Sequence, residues 1–222
     1  MLSTWFPNVD WENMWVATEE TLYMTGISVV FTFIFGILLG LLLFLTSKGN
    51  LWENRLVNVV TSGFVNIFRS IPFIILIVLL LGFTKYLMGT VRGPNGALPA
   101  LIIGAAPFYA RMVEIAFREI DKGVIEAARA MGAKASTIIW KVLLPESMPA
   151  LVSGITVTAI ALVGYTAMAG VIGAGGLGTL AYLDGFQRSR EDVTLVATIF
   201  VLVIVFVIQF IGDLITKFLD KR

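Results

Sequence analysis

The residues best suited to do chemistry lie between two apolar runs, in the stretch Glu126-Ala127-Ala128-Arg129-Ala130-Met131-Gly132 that leads on to Val142-Leu143-Leu144-Pro145. A charged, alanine-rich, helix-forming segment has little use in a membrane loop unless something outside the bilayer grips it, so its chemistry is docking. Catalysis has few candidates: with no cysteine and no histidine, zinc sites, Cys nucleophiles, His bases and disulfides are excluded. Acid–base work would rest on Asp, Glu or Lys, and these sit in loops, termini and span ends, with Glu114 and Asp213 near the cytoplasmic ends of their helices. A proton-coupled carrier places a titratable acid deep in its bundle, and the lack of one argues against that class. Arg69, Tyr165 and Met168, inside apolar runs, are the candidates for a solute path.

The elements that must position these residues are membrane helices. Residues are 58% hydrophobic and only 14% charged, and mean hydropathy is +0.91, far outside the soluble range. The apolar runs are unbroken and helix-length, whereas a barrel would alternate in short segments. Five spans are expected, over 20–45, 57–83, 97–117, 149–171 and 194–216. The segment Met1 to Glu20 has no Lys or Arg and carries four acids, so no cleavable signal is expected and the first span stays attached. Basic residues are retained on the cytoplasmic side. An outside N-terminus puts Lys48, Arg55, Arg118, Lys122, Arg129, Lys134, Lys141, Lys217, Lys221 and Arg222 inside, against Lys85, Arg92, Arg188 and Arg190 outside. Trp5, Trp11 and Trp15 read as headgroup-level anchors.

In the cytoplasmic loop, Asp121 caps a short helix with apolar Val124, Ile125, Ala128 and Met131, and Gly132 ends it at a left-handed residue. A second short helix, 136–144, presents Ile138, Ile139, Val142 and Leu143 before Pro145 stops it. Such a two-helix knob could simply lie in the headgroup region. Its spacing favours docking: Glu-Ala-Ala, three residues, Gly, nine residues, then an aliphatic residue, any residue, Leu and Pro resembles the signature loop of binding-protein-dependent ABC import permeases. The match falls on Glu126, Ala127, Ala128, Gly132, Leu144 and Pro145, with Val142 where Ile is usual.

That resemblance implies a type I importer permease fold: an all-α membrane protein of five spans with a two-helix coupling loop at about 119–147. It implies an outside segment over 1–18, a transmembrane domain over 19–218 and a cytoplasmic tail over 219–222. The loop would seat in a groove of a cytoplasmic ATPase, with Ala127 and Ala128 allowing close approach and Glu126 supplying a polar contact at the edge. The chain has no Gly-Lys dipeptide and hence no P-loop. ATP and magnesium are therefore expected on a separate ATPase chain, with no cofactor, metal or catalytic site here. The segments 66–73, 104–108, 110–114, 162–165 and 173–178 narrow the resemblance to methionine-import permeases of the bacterial cell membrane. It implies two permeases, two ATPases and an outside methionine-binding protein, with ATP-driven closure of the ATPases pushing the knobs and rocking the spans. D- versus L-methionine stays open.

Arg69 lies about 18 Å along a helix beginning near Val57, at ~1.5 Å per residue, and Pro72 would kink or break that helix. A broken helix beside a polar residue suits a substrate path; a packed arginine bonded to freed carbonyls is the alternative. Arg111 and Glu114, one turn apart, read as an intrahelical pair or an interface contact. Six glycines between 164 and 178 include a literal G-x-G-x-x-G at Gly173, Gly175 and Gly178. That motif follows a membrane span rather than a strand, so close packing and a tight turn explain it better than a dinucleotide. Met168 is either an ordinary core methionine or a flexible gate, paired across a homodimer axis. A permease for another small amino acid or a methionine derivative is the neighbouring alternative. A stand-alone channel or carrier, or a non-transporting sensor subunit, are the rivals from other classes.

Overall fold

Asp10 opens the first helix by accepting hydrogen bonds from the backbone N–H groups of Glu12 (3.1 Å) and Asn13 (3.2 Å). This cap starts helix α1 (Trp11–Thr46) well before the apolar run at residue 20, because a capped polar turn extends a helix beyond its hydrophobic stretch. The structure, a computed structural model, describes residues 6–220; the anchor Trp5 and the basic Lys221 and Arg222 lie outside the described residues. Trp15 is exposed and meets Phe200 edge-on at 5.5 Å, as befits an interfacial anchor.

Asn54 caps α2 (Arg55–Ser70) through the N–H groups of Leu56 and Val57, and the Asn58 side chain ties α2 to the end of α1 by donating to the Leu43 carbonyl (2.9 Å). The expected span 57–83 is not one rod. It breaks at Ile71-Pro72, where α3 (Phe73–Leu79) leaves at 106° to α2. Pro72 has no N–H to continue the ladder and excludes its predecessor from helical backbone; Ile71 accordingly sits at φ −80, ψ 122. Helix α4 (Leu81–Met88) follows and ends at Gly89 with φ +72.

Helix α5 (Gly93–Arg118) is the centre of the bundle. Small residues bring α1 against it in parallel: Gly36 faces Tyr109, and a Cβ on Gly40 would stand 2.6 Å from the Ala110 carbonyl oxygen. Close backbone approach of this kind replaces the hydrophobic drive that lipid cannot supply. A third helix, α7 (Ala135–Val171), runs antiparallel to both, held by the Tyr109 hydroxyl donating to the Leu151 carbonyl (3.1 Å). The core sits where these three meet, and α6 (Lys122–Ala130) hangs below it between α5 and α7.

The expected stop at Pro145 does not occur. Ala135 to Val171 is one continuous helix, and a π-helical segment at Ile139–Leu143 precedes the proline. Leu144 N–H bonds to the Ile139 carbonyl five residues back, and this change of register lets the helix run past a residue that cannot donate. Beyond α7 come α8 (Gly176–Thr179), a π-helical turn (Leu180–Phe186) and α9 (Glu191–Leu219). The outer face of α9 presents Phe206, Phe210 and Phe218, and that of α1 presents Phe31, Phe35 and Leu38. Bulky apolar faces of this extent belong in lipid.

The glycine run packs rather than binds nucleotide. The Gly176 N–H donates to the Glu20 carboxylate (2.6 Å) and the Leu177 N–H to the Thr21 hydroxyl (2.9 Å). Gly175 and Gly176 have φ of +84 and +76, a backbone reserved for glycine, while Gly178 lies against the backbone of Ala167. One turn thus fastens the far end of α7 to α1.

Candidate functional site

The loop forms the expected knob. Asp121 accepts from the Gly123 N–H (2.7 Å) and opens α6, which closes at Gly132, φ +78. There the Gly132 N–H bonds to the Arg129 carbonyl (2.9 Å) and the Ala133 N–H to the Ala128 carbonyl (3.1 Å), the paired bonds of a Schellman end that only a left-handed residue allows. The chain then enters α7 at Ala135.

The knob has an inner and an outer side. Ala128, Ile138, Ile139 and Leu143 are buried in the same cluster as Phe44, Phe117 and Leu151, so the knob is rooted in the bundle. Glu126 and Ala127 face out, together with Val124 and with Met131, which is 81% exposed. Of the two alanines expected to allow close approach, Ala127 is outward; Ala128 packs against this chain's own core. Of the four apolar positions expected on one face, Ile125 and Ala128 turn inward, whereas Val124 and Met131 do not. Val142 and Leu144 are half-buried and Pro145 exposed. Outward apolar side chains next to Glu126 are the make-up of a protein contact with a polar edge.

The second group gathers at the broken span. Arg69, in the last turn of α2, and Tyr165, in α7, line one cavity of about 310 Å³ with Phe68, Phe73, Gly104 and Phe108. Phe73 and Tyr165 stack in parallel, 4.5 Å between centroids and 3° between planes. The Arg69 guanidinium lies 6.0 Å from the centre of the Phe108 ring. Among the described residues it has no carboxylate within 4 Å and no carbonyl partner, so a packed arginine capping freed carbonyls is not what the structure shows. Met168 lies one turn beyond Tyr165 and is 46% exposed. It is no core side chain. It belongs to an exposed stripe of α7 with Val157, Gly164 and Ile172, beside the partly buried Ala161.

Arg111 and Glu114 do pair within α5, and Arg118 joins them at 2.6 Å. Glu114, its side chain only 3% exposed, thus answers two cations at the root of the knob; the i, i+4 spacing of Glu114 and Arg118 was the signal for the second. Glu20, which holds the glycine turn, gave no sequence signal, because its partner is 156 positions away.

A family model described as "Binding-protein-dependent transport system inner membrane component" matches residues 33–222. The chain belongs to that family of permeases. Among its relatives, the permease is 70% identical over 222 residues to the methionine import system permease protein MetP of Bacillus subtilis, covering all of both chains. It is 46% identical over 212 residues to the probable D-methionine transport system permease protein MetI of Pasteurella multocida, covering 96% of this permease and 98% of that one. A solved structure of the MetNI methionine ABC transporter in an inward-facing conformation superposes with a TM-score of 0.92 at 45% identity, over 94% of this permease and 96% of that chain. A chain of an amino acid ABC transporter, at 19% identity and TM-score 0.72, shares the fold. The permease is therefore an all-α, multi-pass membrane protein of the importer class.

Proposed function

We propose that this permease carries methionine across the bacterial cell membrane as one of two copies in an ATP-driven importer, with a methionine-binding protein outside and an ATPase pair in the cytoplasm. The observation that carries the reading is the knob: an outward surface of Glu126, Ala127, Val124 and Met131 on a base anchored in the bundle core. The 70% identity to a methionine import permease over the whole chain supports the cargo. The transmembrane domain extends over 19–218, with the N-terminus outside and the C-terminus in the cytoplasm, consistent with the basic residues crowding the knob end. ATP and magnesium are held by the ATPase, and this chain supplies no catalytic group.

Mechanically, the docked knob follows the ATPase, and α7 follows the knob because the two share buried contacts. Met168, on the exposed stripe, meets its copy across the two-fold axis and withdraws when α7 tilts, repacking as an unbranched thioether does. Arg69 and Tyr165 line the path beside it.

The test is uptake of radiolabelled methionine into proteoliposomes holding permease, ATPase and binding protein. Accumulation that needs ATP and both partners is expected, with D- and L-methionine competing to different degrees. Uptake without the ATPase would make the chain a channel or carrier, and transport of a different amino acid in place of methionine would move the cargo.

A further inference from the structure

The cavity at the broken span has the chemistry of a ligand site, and we infer that it is a resting station for the transported amino acid, with Arg69 holding its carboxylate. The inference rests on the methionine reading above and adds to it a residue-level site within the membrane.

Three features of the cavity point the same way. An arginine in an apolar span is costly unless it faces protein, water or a counter-ion; Arg69 lines the cavity while itself exposed, and among the described residues its one partner is the Phe108 ring. Its forked guanidinium matches a carboxylate through two parallel hydrogen bonds, and the carboxylate a zwitterionic amino acid brings is the counter-ion the chain lacks here. The walls are aromatic. Phe73 and Tyr165 present a flat stacked pair, with Phe68 and Phe108 nearby. Ring faces attract an ammonium group and ring edges attract a thioether sulfur, so the rest of the same molecule finds partners on the wall. A cavity of about 310 Å³ is at the small end of ligand sites, which suits one small amino acid.

Gly104 keeps this space open. A Cβ there would come within 3.2 Å of Leu76 and 3.3 Å of the Phe73 ring, which would have to give by a few tenths of an ångström, and would narrow the cavity. The station is also well placed for transport, because Tyr165 is one helical turn from Met168. A ligand on Arg69 waits beside the constriction, and the 106° elbow directly follows the arginine, so that Phe73, just past the bend, forms part of the same cavity wall.

The site is tested with a diazirine analogue of methionine, photolysed on the complete transporter in proteoliposomes, with adducts mapped by mass spectrometry. Adducts are expected on the segments 68–73 and 165–168. Excess methionine should block them and methioninamide, which lacks the carboxylate, should not. Arg69→Gln should lower this labelling by roughly ten-fold or more, the value of a charge-assisted hydrogen bond, and Arg69→Lys should keep an intermediate level. Size-exclusion profiles and ATPase pull-down matching wild type establish that the variants still assemble. Adducts elsewhere in the permease, equal protection by methioninamide, or full labelling of assembled Arg69→Gln would overturn the station. Wild-type uptake of methionine in the same preparation separates the two ideas: its failure removes the methionine reading, whereas normal uptake without adducts at the elbow removes the station alone.

Discussion

Gly132 offers the sharpest test of the knob, because the cost of changing it can be worked from its surroundings. It sits at φ +78 with open space where a Cβ would go, so alanine meets no clash and suffers only the left-handed backbone penalty of about 1 kcal/mol. That amounts to roughly a five-fold shift in the population of the intact knob. Proline is different. Its ring fixes φ near −65°, far from +78°, and it has no N–H to give to the Arg129 carbonyl. Turning that residue out of the left-handed region also misdirects the Ala133 N–H, now bonded to Ala128. Two net hydrogen bonds at about 1 kcal/mol each, plus the backbone mismatch, come to roughly 3 kcal/mol. A nine-residue helix cannot absorb that alone. The assay is methionine taken up per ATP hydrolysed in proteoliposomes. Gly132→Ala should insert and assemble normally with a modest loss, and Gly132→Pro should insert but lose coupled uptake. Gly132→Pro with a wild-type uptake-to-hydrolysis ratio would refute the assignment of this loop.

Other substitutions probe the remaining parts. Glu126→Lys reverses the charge on the outward edge of the knob and should weaken ATPase co-purification and uptake together without changing membrane insertion; intact co-purification would discount Glu126 as a contact. Met168→Ala should raise basal ATPase activity or let substrate leak down its gradient, and wild-type kinetics on both counts would remove Met168 from the path. Glu20→Ala deletes a charge-assisted bond of about 1.5–3 kcal/mol, so the Gly176 amide should exchange hydrogen about ten-fold faster or more. Unchanged protection there would mean that the glycine turn holds without its carboxylate.

Much of this architecture could be read locally. Helix-length apolar runs located α1, α5, α7 and α9, and Pro72 announced its break because one residue both lacks a donor and restricts its neighbour. Gly132 likewise carried its left-handed end in its own identity. The failures were all cases in which distant packing decided. Pro145 resembles a stop, yet the buried anchors Ile138, Ile139 and Leu143 hold the preceding turn in place while it changes register. Ala127 and Ala128 are indistinguishable in composition, and only the position of the bundle core makes one outward and the other inward. That Arg69 and Tyr165, 96 positions apart, line one cavity depends on how distant helices pack, for which no periodicity exists. A local pattern also could not show that Met168 stands on the exposed side of α7.

The unbroken course of α7 has one further consequence. From Ala135 to Val171 it is 37 residues long, about 55 Å at 1.5 Å per residue, with the knob at one end and Met168 near the other. In the proposed importer, a tilt of only 5° pivoting at the knob would displace the far end by almost 5 Å, about the width of a methionine side chain, so a modest stroke at an ATPase would be amplified by leverage. The π-helical segment beside the pivot and the internal Pro149 are where such a beam would have slack, and stiffening that region should lengthen the stroke that would reach Met168.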